Sequence, residues 1–245
     1  MKQITLNLVS RVIPGLNAIV EHSGIQTALS TLRSIIKQKD GGKPSPVFIH
    51  GGPGSGKTVL IRSFFNSFKA SHDYPDEATF LIEPQIDSSR FPDLEKLDLA
   101  ATETNLAIKL LAIDDFHRIS GDDSYSFWSL YNKLNRNDGL IVITSREHPS
   151  EMFEGNDHLR SRLLSGLVIR IEPPTDTERP LILEQMAIER GFRISPEACN
   201  YLLRRKSRNL KELDRILGLI DTRSLETKRR ITVPFIKELE LQELI

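Results

Sequence analysis

The chain has 245 residues, enough to bury one large core, or a large core and a small one. Hydrophobic residues make up 39% and charged residues 27%, a balance that excludes a disordered or membrane-embedded chain. Lys and Arg number 33, as do Asp and Glu, so the formal charge is zero, which argues against strong non-specific binding to nucleic acid. The single cysteine, Cys199, excludes an internal disulfide, so a cytoplasmic protein without membrane contact is expected.

The first residues of the chain differ in pattern from those that follow. Residues 3–8 alternate between polar and apolar side chains, which predicts an extended segment with one apolar side. Pro14 and Gly15 then interrupt the pattern. We interpret residues 1–12 as an arm set apart from the body of the protein. The alternative is a short edge strand packed on that body.

A glycine-rich loop follows the first predicted helix (residues 23–37) and the first predicted strand (residues 46–50). Its sequence is Gly51-Gly52-Pro53-Gly54-Ser55-Gly56-Lys57-Thr58, which matches G-x-x-x-x-G-K-[ST], and a helical pattern begins at Val59. Such a loop turns backbone N–H groups towards a phosphate, while the lysine reaches the β- and γ-phosphates and the threonine binds Mg²⁺. The pattern predicts a nucleoside triphosphate site. A plain glycine-rich turn is the alternative.

Four more strands are predicted, at residues 79–83, 109–113, 139–144 and 167–171, with helical patterns or long connections between them. Strands that alternate with helices favour a mainly parallel sheet covered on both faces, so the predicted fold class is α/β. Ligands of such sheets bind at the carboxyl ends of the strands, where the glycine-rich loop is expected.

Two acidic residues, Asp114 and Asp115, come directly after the third predicted strand. Their carboxylates are therefore expected at the same edge of the sheet as the glycine-rich loop. At that edge Asp114 would hold hydrated Mg²⁺, and Asp115 would orient or polarise an attacking water. A strand-end turn, in which aspartate is common, is the alternative.

A helix is predicted between the third and fourth strands. It carries large apolar and aromatic side chains at Tyr125, Trp128, Leu130, Tyr131 and Leu134. Their mixed i+3 and i+4 spacing favours a buried face over a platform for stacking bases.

Arg160 and Arg162 precede the fifth predicted strand. An exposed arginine there is suited to completing the phosphate site of a neighbouring subunit, although alone it would be an ordinary surface arginine.

The chain after Pro173 and Pro174 has helical patterns throughout. Helices are predicted over about 175–190, from Pro196 with Ser195 as the N-cap, over about 209–224 and from Val233. We therefore expect a P-loop domain over residues 13–174 and a small all-α domain over residues 175–245.

Taken in order, these motifs resemble the AAA+ module of DnaA-type replication initiators. The likeness runs from about Ala18 to the C-terminus and includes the glycine-rich loop and residues 110–115, 159–174 and 209–213. The resemblance implies a three-layer P-loop AAA+ domain with a five-stranded parallel sheet, followed by a helical lid. It also implies ATP or ADP with Mg²⁺ as cofactors.

Within that family the chain is most similar to the Hda-type regulators. No helix-turn-helix domain follows the lid, so no sequence-specific DNA binding is expected, and the lid stretches 190–192, 201–205 and 231–238 are similar to that branch. Residues 3–8 are similar to the short motif with which these regulators bind the DNA polymerase sliding clamp. In such a peptide Gln3 anchors through its amide, while Leu6 and Leu8 fill an apolar pocket.

The resemblance implies roles for single residues. Gly51, Gly56, Lys57 and Thr58 match the nucleotide-binding loop, and Asp114 and Asp115 match the Mg²⁺-binding and water-orienting acids. Arg162 matches the arginine finger, which in Hda-type proteins is thought to act on ATP bound to a partner DnaA.

Three positions depart from the pattern of the initiators. Arg146 stands where an aspartate is usual, Ile25 where an asparagine is usual, and Lys211 where a lid arginine touches the γ-phosphate. These departures argue against strong ATP hydrolysis by the chain itself. Nucleotide binding is still expected.

The resemblance implies a regulator of replication initiation that docks on the sliding clamp and promotes hydrolysis of DnaA-bound ATP. An arginine finger that acts on a partner's ATP requires a neighbouring protein. That neighbour can be a second copy of this chain, but a homo-oligomer is not required. The first alternative is a self-contained AAA+ ATPase, such as a helicase loader acting on DNA. The second alternative is a nucleotide-responsive adaptor without a catalytic role.

Overall fold

The computed structural model describes residues 15–38, 45–72, 74–83, 92–103, 107–118, 121–152, 157–206 and 210–244, without the side chains of 92–93, 118, 121–123 and 211. The chain divides between Pro173 and Pro174 into two compact units. One unit covers Gly15–Pro173, and the other includes Pro174–Ile245. The predicted arm, residues 1–12, lies outside the described residues.

The first unit contains a parallel sheet in the strand order β2-β3-β4-β1-β5. Its elements in chain order are α1 (Gln26–Lys37), β1 (Val47–His50), α2 (Lys57–Ser71), β2 (Thr79–Ile82), α3 (Pro92–Glu103), β3 (Leu110–Ile113), α4 (Gly121–Arg136), β4 (Leu140–Ser145), α5 (Asp157–Leu164) and β5 (Leu167–Arg170). The predicted α/β class and five-stranded parallel sheet are confirmed. The bounds of each strand differ by at most one residue from those predicted.

Alternation along the strands builds a hydrophobic core on each face of the sheet. On β1, for example, Phe48 belongs to one core, while Val47 and Ile49 belong to the other. The first core is completed by apolar side chains of α3, α4 and α5, and the second by side chains of α1 and α2. The result is the expected three-layer arrangement, with the carboxyl ends of the strands free to carry a site.

Helix α4 corrects one prediction. Leu130, Tyr131 and Leu134 are buried as predicted, whereas the side chain of Tyr125 is 76% exposed. The helical period explains the difference, because the buried stripe runs through Phe127 and its i+3, i+4 and i+7 neighbours, and Tyr125 projects from the opposite side. Trp128 lies at the flank of the stripe and packs against the core while partly buried.

The second unit consists of helices in its described residues, namely α6 (Arg179–Glu189), α7 (Pro196–Arg205), α8 (Leu210–Thr227) and α9 (Val233–Leu241). Leu183, Leu202, Leu217 and Phe235 contribute to its own buried core. Ser195 caps α7 as predicted, since its hydroxyl accepts a hydrogen bond from the N–H of Ala198 at 3.3 Å. The predicted all-α lid is confirmed.

Across the part of the chain that the structure describes, no helix has both the length and the apolar character needed to span a membrane.

Candidate nucleotide-binding site

The glycine-rich loop begins where β1 ends, between β4 and β5. The N–H of Gly51 donates a hydrogen bond to the carbonyl of Ser145, at the end of β4, over 3.2 Å. On the other side, a Cβ atom on Gly51 would lie 2.2 Å from the carbonyl oxygen of Ile171. Only glycine fits this close approach, so the first glycine of the motif sets the direction in which the loop leaves the sheet.

Two later glycines give the loop its turn. Gly54 and Gly56 have φ angles of +76° and +92°, which L-amino acids with side chains rarely adopt. A Cβ atom on either would meet nothing within 4 Å, so the space above the loop is open. Helix α2 begins directly afterwards at Lys57, so its first N–H groups, which have no carbonyl partner within the helix, lie at the loop. This arrangement suits a phosphate group.

Lys57 is buried against the loop, with 7% of its surface exposed. Its Nζ atom donates to the carbonyls of Gly51 at 2.6 Å and Gly52 at 2.9 Å, and lies 3.4 Å from the hydroxyl of Ser55. Burial lowers the pKa of Lys57, while the carboxylates of Asp115 and Asp114 act in the opposite direction. The ammonium group is therefore within the electrostatic reach of both acids.

Asp114 follows β3 and has 3% of its surface exposed. Its carboxylate accepts hydrogen bonds from the hydroxyl of Thr144 and shares one with the side chain of Thr58 in the glycine-rich loop. Burial raises the pKa of Asp114, and these two hydrogen bonds oppose the shift. The structure thus joins the loop and the first acid directly.

Asp115 has an unusual backbone for a residue with a side chain, with φ at +51°. Its N–H donates to the hydroxyl oxygen of Thr144 over 3.1 Å, and its partly exposed carboxylate lies 3.9 Å from Nδ1 of His117. The sequence places Thr144 among the polar groups that end the fourth strand beside the nucleotide edge, but it does not predict that Thr144 contacts the acids. The available signal was a hydroxyl residue near the end of an otherwise apolar strand.

The donor set at this edge fits a magnesium ion. Thr58 and Asp114 offer a hydroxyl and a carboxylate that already lie within hydrogen-bonding distance of each other, and Mg²⁺ prefers such oxygen ligands together with phosphate oxygens and water. The open space above Gly54 and Gly56 leaves room for the phosphates.

Three further residues of this unit that the sequence singled out are Val59, Ile25 and Arg146, and they differ in burial. Val59, on the first turn of α2, is 51% exposed, and Ile25 is buried in the core that α1 and α2 share. Arg146 is exposed directly after β4. Its charge lowers the pKa of both Lys57 and His117, although burial is the larger cause for each.

The remaining candidates are on helix α5, on helix α8 or outside the described residues. Arg162 is exposed on α5, where its guanidinium group lies over the ring of Trp128. Lys211 lies on α8, and its side chain is not among those described. Gln3, Leu6 and Leu8 lie outside the described residues.

Two family models match the chain, and together they cover both units. The model of the bacterial DnaA ATPase domain matches residues 15–170, and that of the Hda lid domain matches residues 176–239. An uncharacterized protein of Haemophilus influenzae is 29% identical over 214 residues, which are 86% of this chain and 88% of that protein.

Solved structures of DnaA share the fold. Domain III of DnaA from Thermotoga maritima superposes with a TM-score of 0.75 at 23% identity, covering 94% of this chain and 96% of that chain. A replication initiator DnaA bound to AMPPCP and single-stranded DNA gives a TM-score of 0.68 at 21% identity, covering 94% of this chain and 67% of that chain. Since one family model spans well over half of the sequence, this chain belongs to the bacterial DnaA ATPase-domain family of AAA+ proteins and carries a lid of the Hda type.

Proposed function

We propose that this chain is a nucleotide-binding AAA+ regulator of chromosomal replication initiation that promotes hydrolysis of ATP bound to DnaA. The observation that carries the proposal is the combination of a complete phosphate loop and acidic pair with a lid of the Hda type. A DnaA ATPase domain alone would suit an initiator, whereas the Hda lid favours the regulatory branch.

Adenine nucleotide would bind at the glycine-rich loop, with its phosphates at the N-terminus of α2 and near Lys57. A replication initiator DnaA of the same fold was solved bound to AMPPCP, an ATP analogue, which supports nucleotide binding by this chain. Thr58 and Asp114 would hold Mg²⁺, which neutralises phosphate charge when it is bound. Asp115, with its partly exposed carboxylate, would orient water.

Arg162 would act on ATP held by a partner DnaA. Its side chain is exposed, and in the described part of the chain it forms no ion pair that would neutralise its charge. A guanidinium group in this state is suited to stabilising the charge that develops on a transferring phosphoryl group. Catalysis would then occur in the partner's site, and the chain itself would need little or no ATPase activity.

The test is a turnover assay with DnaA that carries labelled ATP, the sliding clamp and this chain. Arg162→Ala should abolish the stimulation of ADP formation, since arginine fingers typically contribute about 10³-fold or more. Arg160→Ala is the matched control, because Arg160 is on the same helix and is paired with Asp157. Full stimulation by the Arg162→Ala chain would show that the finger assignment is wrong.

Docking on the sliding clamp would use Gln3, Leu6 and Leu8, as the similarity of residues 3–8 implies. A pull-down on purified clamp with the chain and its Gln3→Ala/Leu6→Ala variant tests this part separately. Binding should be lost in the double variant, and failure of the unchanged chain to bind would remove the clamp from the proposal.

A self-contained ATPase is the second candidate, and the presence of Lys57, Asp114 and Asp115 in one site favours it. That function would give ATP turnover by the isolated chain, lost on Lys57→Ala. Stimulation of DnaA with no such turnover would instead support the regulatory function.

A further inference from the structure

One buried hydroxyl group contacts both acidic residues of the site. The Oγ1 hydroxyl of Thr144 donates a hydrogen bond to Oδ1 of Asp114 and accepts one from the N–H of Asp115 at 3.1 Å. Thr144 has 0% of its surface exposed, so water does not compete for these bonds. The two acids are therefore connected to β4 through a single side chain.

Sheet register explains why this residue reaches both acids. β3 and β4 are parallel neighbours, with Ile113 opposite Ile143, so Thr144 continues β4 at the level where the chain leaves β3. The N–H of Asp114 donates to the carbonyl of Ile82 on β2, which holds the other side of that turn. The acidic pair is thus supported by both neighbouring strands, with β4 supplying a side chain and β2 a carbonyl.

The two contacts of Thr144 have different consequences. Its bond to Asp114 occupies one carboxylate oxygen and so restricts rotation of that side chain. The hydrogen bond that Thr144 accepts from the N–H of Asp115 helps to hold Asp115 at a φ of +51°, a conformation that needs support from its surroundings. The same hydroxyl group therefore restrains both the carboxylate of Asp114 and the backbone of Asp115.

We propose that Thr144 is a positioning residue that orients Asp114 and Asp115 together towards the magnesium ion of a bound nucleotide. The inference rests on the proposed nucleotide site. Groups that hydrogen-bond to a metal-binding carboxylate set its orientation, and their loss typically lowers metal affinity or activity about 10- to 100-fold. Valine in place of Thr144 keeps the shape of the side chain and removes both hydrogen bonds.

The first test measures the dissociation constant of a fluorescent ATP analogue, with Mg²⁺ and with EDTA. In Thr144→Val, the gain in affinity that Mg²⁺ provides should fall about tenfold, while affinity in EDTA stays within about twofold. Thr144→Ser, which restores the hydroxyl group, should recover most of the gain. An unchanged gain in Thr144→Val, or an equal loss with and without Mg²⁺, would overturn the proposal.

Thr79→Val is the matched control. Thr79 is a buried threonine at the start of β2, and its hydroxyl oxygen has no hydrogen-bond partner in the described structure. Removing that hydroxyl group should leave the Mg²⁺-dependent gain unchanged. A similar loss in Thr79→Val would show that any buried Thr→Val change perturbs the site.

A second measurement does not need nucleotide. Amide hydrogen exchange at Asp115 should accelerate about tenfold or more in Thr144→Val, since the N–H loses its acceptor, and not in Thr79→Val. If the unchanged chain bound no nucleotide, the proposed function would fail. Exchange at Asp115 would then still decide whether Thr144 holds the acidic pair, and unaltered exchange would overturn that statement.

Discussion

The guanidinium carbon of Arg162 lies 6.0 Å from the centroid of the Trp128 ring. Trp128 lies on α4, partly buried against the core, whereas Arg162 is exposed on α5. A cation over an aromatic face keeps its full charge, because the ring attracts it without neutralising it. The contact thus restricts the arginine while leaving it able to bind an anion.

The two members of this pair should differ in their effect on stability. Arg162→Ala should lower the free energy of unfolding by about 1 kcal/mol at most, the value of an exposed cation–π contact. Trp128→Ala should cost about 2–3 kcal/mol, since it removes a large, partly buried ring. Urea unfolding of both variants, with Trp128→Phe as the conservative control, measures the difference. Equal losses for Arg162→Ala and Trp128→Ala would contradict the assignment of Arg162 as a surface side chain.

Asp114→Asn should stabilise the nucleotide-free chain at pH 7 to 8. Burial raises the pKa of Asp114 in the folded chain, so the folded state binds more protons than the unfolded state between pH 3.8 and that raised value. The contribution of Asp114 to the free energy of unfolding therefore falls as pH rises through that window. Above the window, the folded chain bears the full cost of the buried charge. Removing the charge should add roughly 0.5–2 kcal/mol, the usual range for a single stabilising substitution.

Urea unfolding of Asp114→Asn and the unchanged chain at a series of pH values from 8 down to 4 tests this linkage. The advantage of the variant should be largest at pH 8 and shrink as Asp114 of the unchanged chain takes up its proton. A variant less stable than the unchanged chain at pH 8 would show that the hydrogen bonds from Thr144 and Thr58 outweigh the burial of the charge.

Arg146→Ala should weaken binding of ATP more than binding of ADP. Arg146 is exposed beside the glycine-rich loop, and its charge reaches Lys57, whose pKa is lowered mainly by burial and further by Arg146. A third phosphate adds negative charge near this cation, so the loss for ATP should be about three- to tenfold, equivalent to roughly 1 kcal/mol. Titration with labelled ATP and ADP measures both affinities.

The neighbouring Glu147 offers a control for Arg146, because it is also exposed and carries the opposite charge. Glu147→Ala should not reduce affinity for either nucleotide. Equal weakening of ATP and ADP in Arg146→Ala would mean that this arginine does not sense the terminal phosphate.

Cys199 should resist alkylation while the lid is folded. It is buried in the core of the second unit, and burial raises the pKa of its thiol to about 12. Since the thiolate is the reactive form, iodoacetamide at pH 8 should modify the native chain on the order of 100-fold more slowly than the chain in denaturant. Cys199 is the single cysteine of the chain, so the extent of labelling measured by mass spectrometry reports on the folding of the second unit alone. Rapid labelling under native conditions would contradict a stable helical core.

Sequence patterns predicted correctly those structural features that depend on residues close together in the chain. Each strand is a short apolar run, so its bounds could be predicted to within a residue, and Ser195 before Pro196 identified the start of α7. On α4 the same reasoning was wrong for Tyr125, because the side of a helix that is buried depends on what packs against it.

By itself, the sequence determined the glycine-rich loop, the acidic pair after β3 and the order of strands and helices, because each depends on residues close together in the chain. Tertiary structure alone decided that Thr144, 30 residues after Asp114, donates to that carboxylate. It also decided that the ring of Trp128 lies under Arg162. Neither contact has a local signature, since strand order and helix packing bring together residues that no short motif connects.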